Sequence, residues 1–183
     1  MPPMRRVRVL SSGLLAAVAV GGLGVTAAAG DPTPSQTVFT QKLVDDPATS
    51  AGVKRLLSTK AGLVDPRSGF VDVTGDGRQD ALVLVSTGGA AGAVALYVFS
   101  THGQEVSGGG GADQTSLKVV FRLQSLYRAT LRISGTTLSV LEPRYAAGDD
   151  LCCPKKLRER DYVFDAKAVT FRRTADHDVA FTK

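Results

Sequence analysis

The sequence predicts an α+β fold: a mostly antiparallel β-sheet of about seven strands with one N-terminal helix on one face. Three observations carry this. Apolar residues recur with period two from Phe70 onward, as in strands with one dry face and one wet face. Short glycine-rich or turn-forming connections separate the strand-length runs, which favours hairpin neighbours over helical crossovers. A single short stretch of helical period precedes them. The competing arrangement is an all-β sandwich or partly closed barrel.

In chain order, residues 30–36 hold Pro32, Thr33, Pro34 and Ser35 with little apolar content, and read as a disordered lead-in. A helix follows, with Asp46 as cap, Pro47 at the first helical position and Val53, Leu56 and Leu57 as a narrow apolar stripe; Gly62 can end it. Residues 81–86 and 94–99 are nearly continuous apolar runs, short enough for buried strands, joined by a glycine-rich loop at 87–92. A four-glycine loop at 108–111 follows. Leu117, Val119, Phe121 and Leu123 alternate with polar residues, as do Tyr127, Ala129, Leu131 and Ile133. Ser134, Gly135 and Thr136 turn into a strand at 137–141, and runs at 157–164 and 169–173 flank Asp165, Ala166 and Lys167, giving two hairpins. The lead-in thus gives way to a single mostly β domain over residues 37–183.

Residues 1–29 carry the parts of a cleavable secretory signal. Arg5, Arg6 and Arg8 make a basic start, residues 14–20 a short apolar run, and Ala27, Ala28 and Ala29 a small-residue cleavage site. Ser11, Ser12 and several glycines interrupt the apolar region, whereas a membrane span needs about 20 strongly apolar residues. The expected location is secreted, extracellular or in the cell envelope, with no transmembrane segment after cleavage. The formal net charge of +5 shrinks when the three signal arginines leave, because 19 basic side chains then face 17 acidic ones. That near balance, with no recognisable nucleic-acid module, argues against a nucleic-acid partner.

The sharpest chemical feature is the loop from Asp72 to Asp80. Asp72, Thr74, Asp76 and Asp80 supply oxygens at spaced positions, and Gly75 and Gly77 let the backbone turn. Hard cations such as Ca2+ take several oxygen ligands from one short loop. The pattern resembles the calcium loops of FG-GAP (integrin-type propeller) repeats, D-x-D-x-D-G-x-x-D, but has Thr74 where a carboxylate is expected. It is not an EF-hand loop, since Val83 stands where the bidentate Glu belongs. The competing interpretation is a turn between strands, with the aspartates as turn formers.

Cys152 and Cys153 are the only cysteines, and they are neighbours. An exported chain with an even count usually pairs its thiols, so a vicinal disulfide is the favoured expectation. Such a bond strains the intervening peptide, is more easily reduced and closes almost no loop. Buried thiols, pairing with another molecule and soft-metal binding are the alternatives. Zinc lacks further ligands, because His102 and His177 are remote in sequence.

A longer resemblance runs through residues 70–85, the loop at 87–92, the strand around Tyr97, the segment Tyr145-Ala-Ala-Gly-Asp-Asp-Leu-Cys-Cys-Pro154 and the stretch 158–164. Together these resemble the LppP/LprE-type envelope lipoproteins and related secreted proteins of actinobacteria. The similarity covers most of residues 65–173, and the Cys-Cys-Pro segment is its most specific part. It implies an extracytoplasmic location and supplies no activity or catalytic residues. This chain departs from it in lacking a lipid-accepting cysteine after the apolar run, so membrane anchoring does not carry over.

The sequence favours a non-catalytic envelope or secreted module of unknown ligand, with loops at 87–92, 101–116 and 146–156 as its recognition surface. The alternative is an extracellular hydrolase acting on cell-wall or external polymers. No nucleophile elbow, zinc-binding His pair or Ser-Lys pattern supports it. Glu105, Glu142 and Glu159 could supply a carboxylate pair, but no spacing singles any two out. A redox role for the cysteines lacks the C-x-x-C spacing.

Overall fold

The computed structural model describes residues 33–65, 70–102 and 117–181, all within one compact unit, Pro32–Lys183. Residues 1–29, expected to be an export signal, and the four-glycine loop lie outside the described residues.

Two helices open the described chain where one was expected. The first, α1 (Pro34–Asp45), begins inside the stretch read as a lead-in. Its start is a capping box: the Thr33 hydroxyl accepts from the Gln36 amide at 3.3 Å, and Gln36 Oε1 accepts from the Thr33 amide at 2.8 Å. Pro34 takes the first turn, where no backbone donor is needed. Asp46 closes this helix rather than starting the next, its N–H reaching Lys42 O at 3.0 Å. The second helix, α2 (Ala51–Ser58), is capped by Ser50, with Pro47 left in the intervening turn.

Among the described residues nine strands follow, giving the mostly antiparallel α+β fold expected, but divided between two sheets rather than one of about seven strands. Strands β1 (Gly62–Asp65) and β2 (Phe70–Val71) both pair with β3 (Asp80–Thr87), which continues through β4 (Ala93–Ser100) to β5 (Lys118–Gln124). The second sheet is a meander of β6 (Thr130–Ser134), β7 (Thr137–Arg144), β8 (Lys156–Asp165) and β9 (Thr170–Ala180). Both predicted hairpins are present, and neither sheet closes into a barrel. The run read as a strand from Tyr127 becomes strand only at Thr130. A register shift between Asp161 and Tyr162 bends the β8–β9 pairing.

The first sheet is the middle layer. Phe39, Leu43, Val53 and Leu57 of the helices pack with Val83, Val85, Tyr97 and Phe99 on one face. Leu82, Leu96, Val98 and Phe121 pack on the other face with Leu138, Val140, Tyr162 and Phe171 of the second sheet. Phe121 anchors that contact, 4.9 Å from the Tyr162 ring and 5.2 Å from the Phe171 ring. Dry surfaces on both sides explain why β3 and β4 read as nearly unbroken apolar runs. Each fully buried Leu or Phe here contributes roughly 1.5–3 kcal/mol. Among the described residues no helix is long and apolar enough to cross a membrane.

Candidate functional site

The aspartate loop joins β2 to β3 and is built around its own amides. Asp72 Oδ1 accepts from Gly75 N at 2.7 Å and Asp76 N at 3.2 Å, and Asp72 Oδ2 from Gly77 N at 2.8 Å. Gly75 and Gly77 both take positive φ, 76° and 81°, which suits glycine at this reversal. Asp80, at 0% exposure, accepts from Val73 N and Thr74 N, each at 2.9 Å, and from the Thr74 hydroxyl at 3.4 Å. Burial pushes the Asp80 carboxyl above the ordinary aspartate range, against the opposing pull of hydrogen bonds from Ser100, Thr74 and Val73. Asp76 caps Arg78 N at 2.9 Å and places Oδ2 3.3 Å from His102 Nδ1. The four predicted ligands therefore lie in one loop, with Asp72 and Asp80 committed to backbone donors. A calcium ion would have to compete with these amides, and Asp80 would have to leave the interior to join it. Among the described residues no three His, Cys, Asp or Glu side chains gather as a metal cluster.

A second cluster forms where three loops meet, and Arg128 is its centre. The Arg128 backbone stands at φ 49°, a left-handed conformation that side chains other than Gly, Asn and Asp rarely adopt. Its amide donates to Ala91 O at 2.9 Å in the 87–92 loop. Its guanidinium Nη1 donates to the Tyr145 hydroxyl at 2.6 Å and to Leu151 O. The Tyr145 hydroxyl in turn donates to Leu151 O at 2.9 Å. Gly92 fits closely underneath, since a Cβ there would come within 3.2 Å of Arg128 Cα. Beside this lock, Tyr127 and Leu151 stand 41% and 69% exposed, and the Tyr127 ring meets Tyr145 edge-on at 6.4 Å.

The second sheet supports that cluster with paired charges. In register, Glu142 lies opposite Arg158, Arg158 opposite Asp178, and Arg160 opposite Asp176, so all five share the face that carries Leu138, Val140 and Tyr162. That face is dry at one end and ionic at the other. Glu142 bridges, accepting from Tyr127 N at 2.9 Å and pairing with Arg160. Arg158 grips Asp176 through two bonds of 2.7 and 2.6 Å, which is the main reason the Asp176 carboxyl falls to about 2. Glu159 lies on the opposite face, buried against Arg132 with His177 3.8 Å away. Glu142 and Glu159 therefore do not face each other across a cleft, and Glu105 lies outside the described residues.

Cys152 and Cys153 sit in a turn closed by Cys153 N donating to Asp150 O at 3.0 Å. They stand as two separate thiols, Cys152 exposed and Cys153 half-buried. The hydrogen bond with Cys153 pushes the Cys152 thiol above its ordinary value, with burial adding to it. Sequence reasoning placed the aspartates and cysteines but missed Arg128, whose partners lie 17 and 23 positions further along the chain. Its one local signal was an arginine where the period-two pattern fails to become a strand. Comparison of the chain with protein-family models, with curated proteins and with solved structures finds no match.

Proposed function

We propose that this protein is an exported, non-catalytic binding module of the cell envelope or extracellular space, and that the Arg128-centred surface is its recognition face. The observation that carries the reading is a pair of exposed apolar side chains, Tyr127 and Leu151, on loops held by one arginine. A surface ordered before its ligand arrives loses less entropy on binding, and a large exposed aromatic beside paired charges suits a polar ligand with apolar faces. Two of the three loops expected to form the surface, 87–92 and 146–156, are joined here through Arg128. The export signal at 1–29 and the resemblance to LppP/LprE-type envelope proteins support the extracytoplasmic setting.

The same reading keeps the aspartate loop as the candidate calcium position, with Asp72, Thr74 and Asp76 as the accessible ligands and Asp80 as an inner anchor. Calorimetric titration tests the ion: heat and a higher Tm support it, and no heat at millimolar calcium leaves the loop as an amide-bound turn. For the function itself, the full chain is screened against cell-wall fragments and generic hydrolase substrates. Binding lost in Tyr127→Ala and Leu151→Asp variants supports the recognition face. Turnover abolished by a single carboxylate substitution would replace this reading with the hydrolase.

A further inference from the structure

We infer that Cys152 and Cys153 form a reversible dithiol–disulfide switch that sets the geometry of the Arg128-centred surface. Its physiological meaning rests on that surface being the recognition face, but its chemistry does not.

The argument begins with where the thiols sit. The Leu151 carbonyl that receives Arg128 Nη1 and the Tyr145 hydroxyl belongs to the same peptide unit as the Cys152 nitrogen. Rotation about the Cys152 N–Cα bond therefore re-aims the acceptor that holds the lock. The segment is fixed on both sides of the turn. Asp149 accepts from Ala146 N at 3.0 Å and lies 3.4 Å from Lys155 Nζ, while Phe181 N holds Lys155 O at 3.1 Å. Movement is thereby confined to residues 150–153.

Ring closure demands such movement. Adjacent Cα atoms stand about 3.8 Å apart across a trans peptide, below the roughly 4.4–6.8 Å that most disulfides span. That separation cannot lengthen, so closure is accommodated by the dihedrals on either side of the Cys152–Cys153 peptide, and the Cys153 N to Asp150 O bond depends on those dihedrals. The same strain makes the closed ring readily reducible, as expected of a regulatory bond rather than a structural one. Exposure of Cys152 lets an oxidant reach the pair, and sequence adjacency makes the second step intramolecular.

The oxidant is a disulfide donor, RSSR. A thiolate of the pair attacks one donor sulfur, forming a mixed disulfide and releasing RS−. The neighbouring thiolate then attacks the protein sulfur and expels the second RS−. Cys152 and Cys153 together lose two electrons and two protons, and the donor becomes two RSH. Excess thiol reverses both steps.

The test equilibrates the full chain in buffers of varied oxidised-to-reduced glutathione ratio, quenches with acid, alkylates, and measures intact mass alongside amide hydrogen exchange. Both alkylation sites should disappear together in the monomer, with no glutathione retained. The Arg128 and Tyr127 amides should then exchange about five-fold faster or more, while β3 and β4 stay unchanged. Cys152→Ser and Cys153→Ser variants should exchange identically at every ratio. Thiols that remain alkylatable throughout, disulfides between chains, a ring that closes without altering exchange, or a response that survives in the serine variants would each overturn the inference. None of these readouts uses a ligand, so failure here leaves the binding reading standing, and failure to bind any polymer leaves the switch standing.

Discussion

The two sheets hold together by different means. The central strands of the first are wet at neither face: β3 and β4 lie between the helices and the second sheet, and Leu82, Leu96, Val98 and Tyr97 are all at 0% exposure. The second sheet is dry only where Leu138, Val140, Tyr162 and Phe171 meet its neighbour. Beyond that, the same face is closed by Glu142–Arg160, Arg158–Asp176 and Arg173–Asp176. One layer is fixed by exclusion of water, which is non-directional and insensitive to salt. The other is fixed partly by directional, screened contacts. Of the loops proposed as the recognition face, 87–92 grows from the first kind of support and 146–156 from the second.

That contrast can be broken first at the middle layer. Leu96→Ala removes a side chain packed on the sandwich side of β4 and is expected to cost about 2–5 kcal/mol, seen as a lowered midpoint in urea unfolding at any salt concentration. Asp80→Ala comes next, because it leaves the Val73 and Thr74 amides without their shared acceptor, at about 1–3 kcal/mol for each buried donor. Its pH behaviour has a definite sign. Burial raises the folded-state pKa of Asp80 above its unfolded value, so the folded chain holds this proton longer. Stability from this group is greatest below the ordinary aspartate pKa and declines as pH rises toward the raised value. An Asp80→Asn variant should lack that slope when urea stability is compared across the acid range.

Smaller effects belong to the second region. Arg128→Ala removes two side-chain bonds and is expected to cost about 1–2 kcal/mol. Its clearer signature is faster hydrogen exchange at 87–92 and 145–154 with the core unaffected. Arg158→Gln should change Tm least, and added salt should erase the change. NMR titration should show the Asp176 carboxyl climbing from about 2 toward the ordinary range. In the parent chain the contribution of Asp176 is present above the ordinary carboxylate pKa and is lost as pH falls through about 2.

Those two regions were also unequally legible. Runs at 81–86 and 94–99 announce β3 and β4, since a strand dry on both faces has no polar position to blur its pattern. The two hairpins announce themselves through Gly135 and through Asp165 with its neighbours. The first helix is harder to see, because only Phe39 and Leu43 of its twelve residues are buried. Yet Thr33 and Gln36 spell a capping box that outweighs the prolines around it. Asp46 and Ser50 are equally good caps by type, and Pro47 pointed to the wrong one. Of the candidate site, the aspartate turn could be read because its contacts are local. The Arg128 lock could not, since its partners at Ala91, Tyr145 and Leu151 meet only after both sheets have formed. Nothing in an arginine advertises a left-handed backbone.

The eleven-residue β9 has one strand neighbour among the described residues, so its outer row of backbone donors and acceptors pairs with no other strand among them. A flat apolar strand in that position would seed sheet-to-sheet association. Arg172, Arg173, Asp176 and Asp178 crowd it with charge, and the register shift near Tyr162 interrupts its pairing with β8. The irregularity and the charges together act as a guard against self-templating.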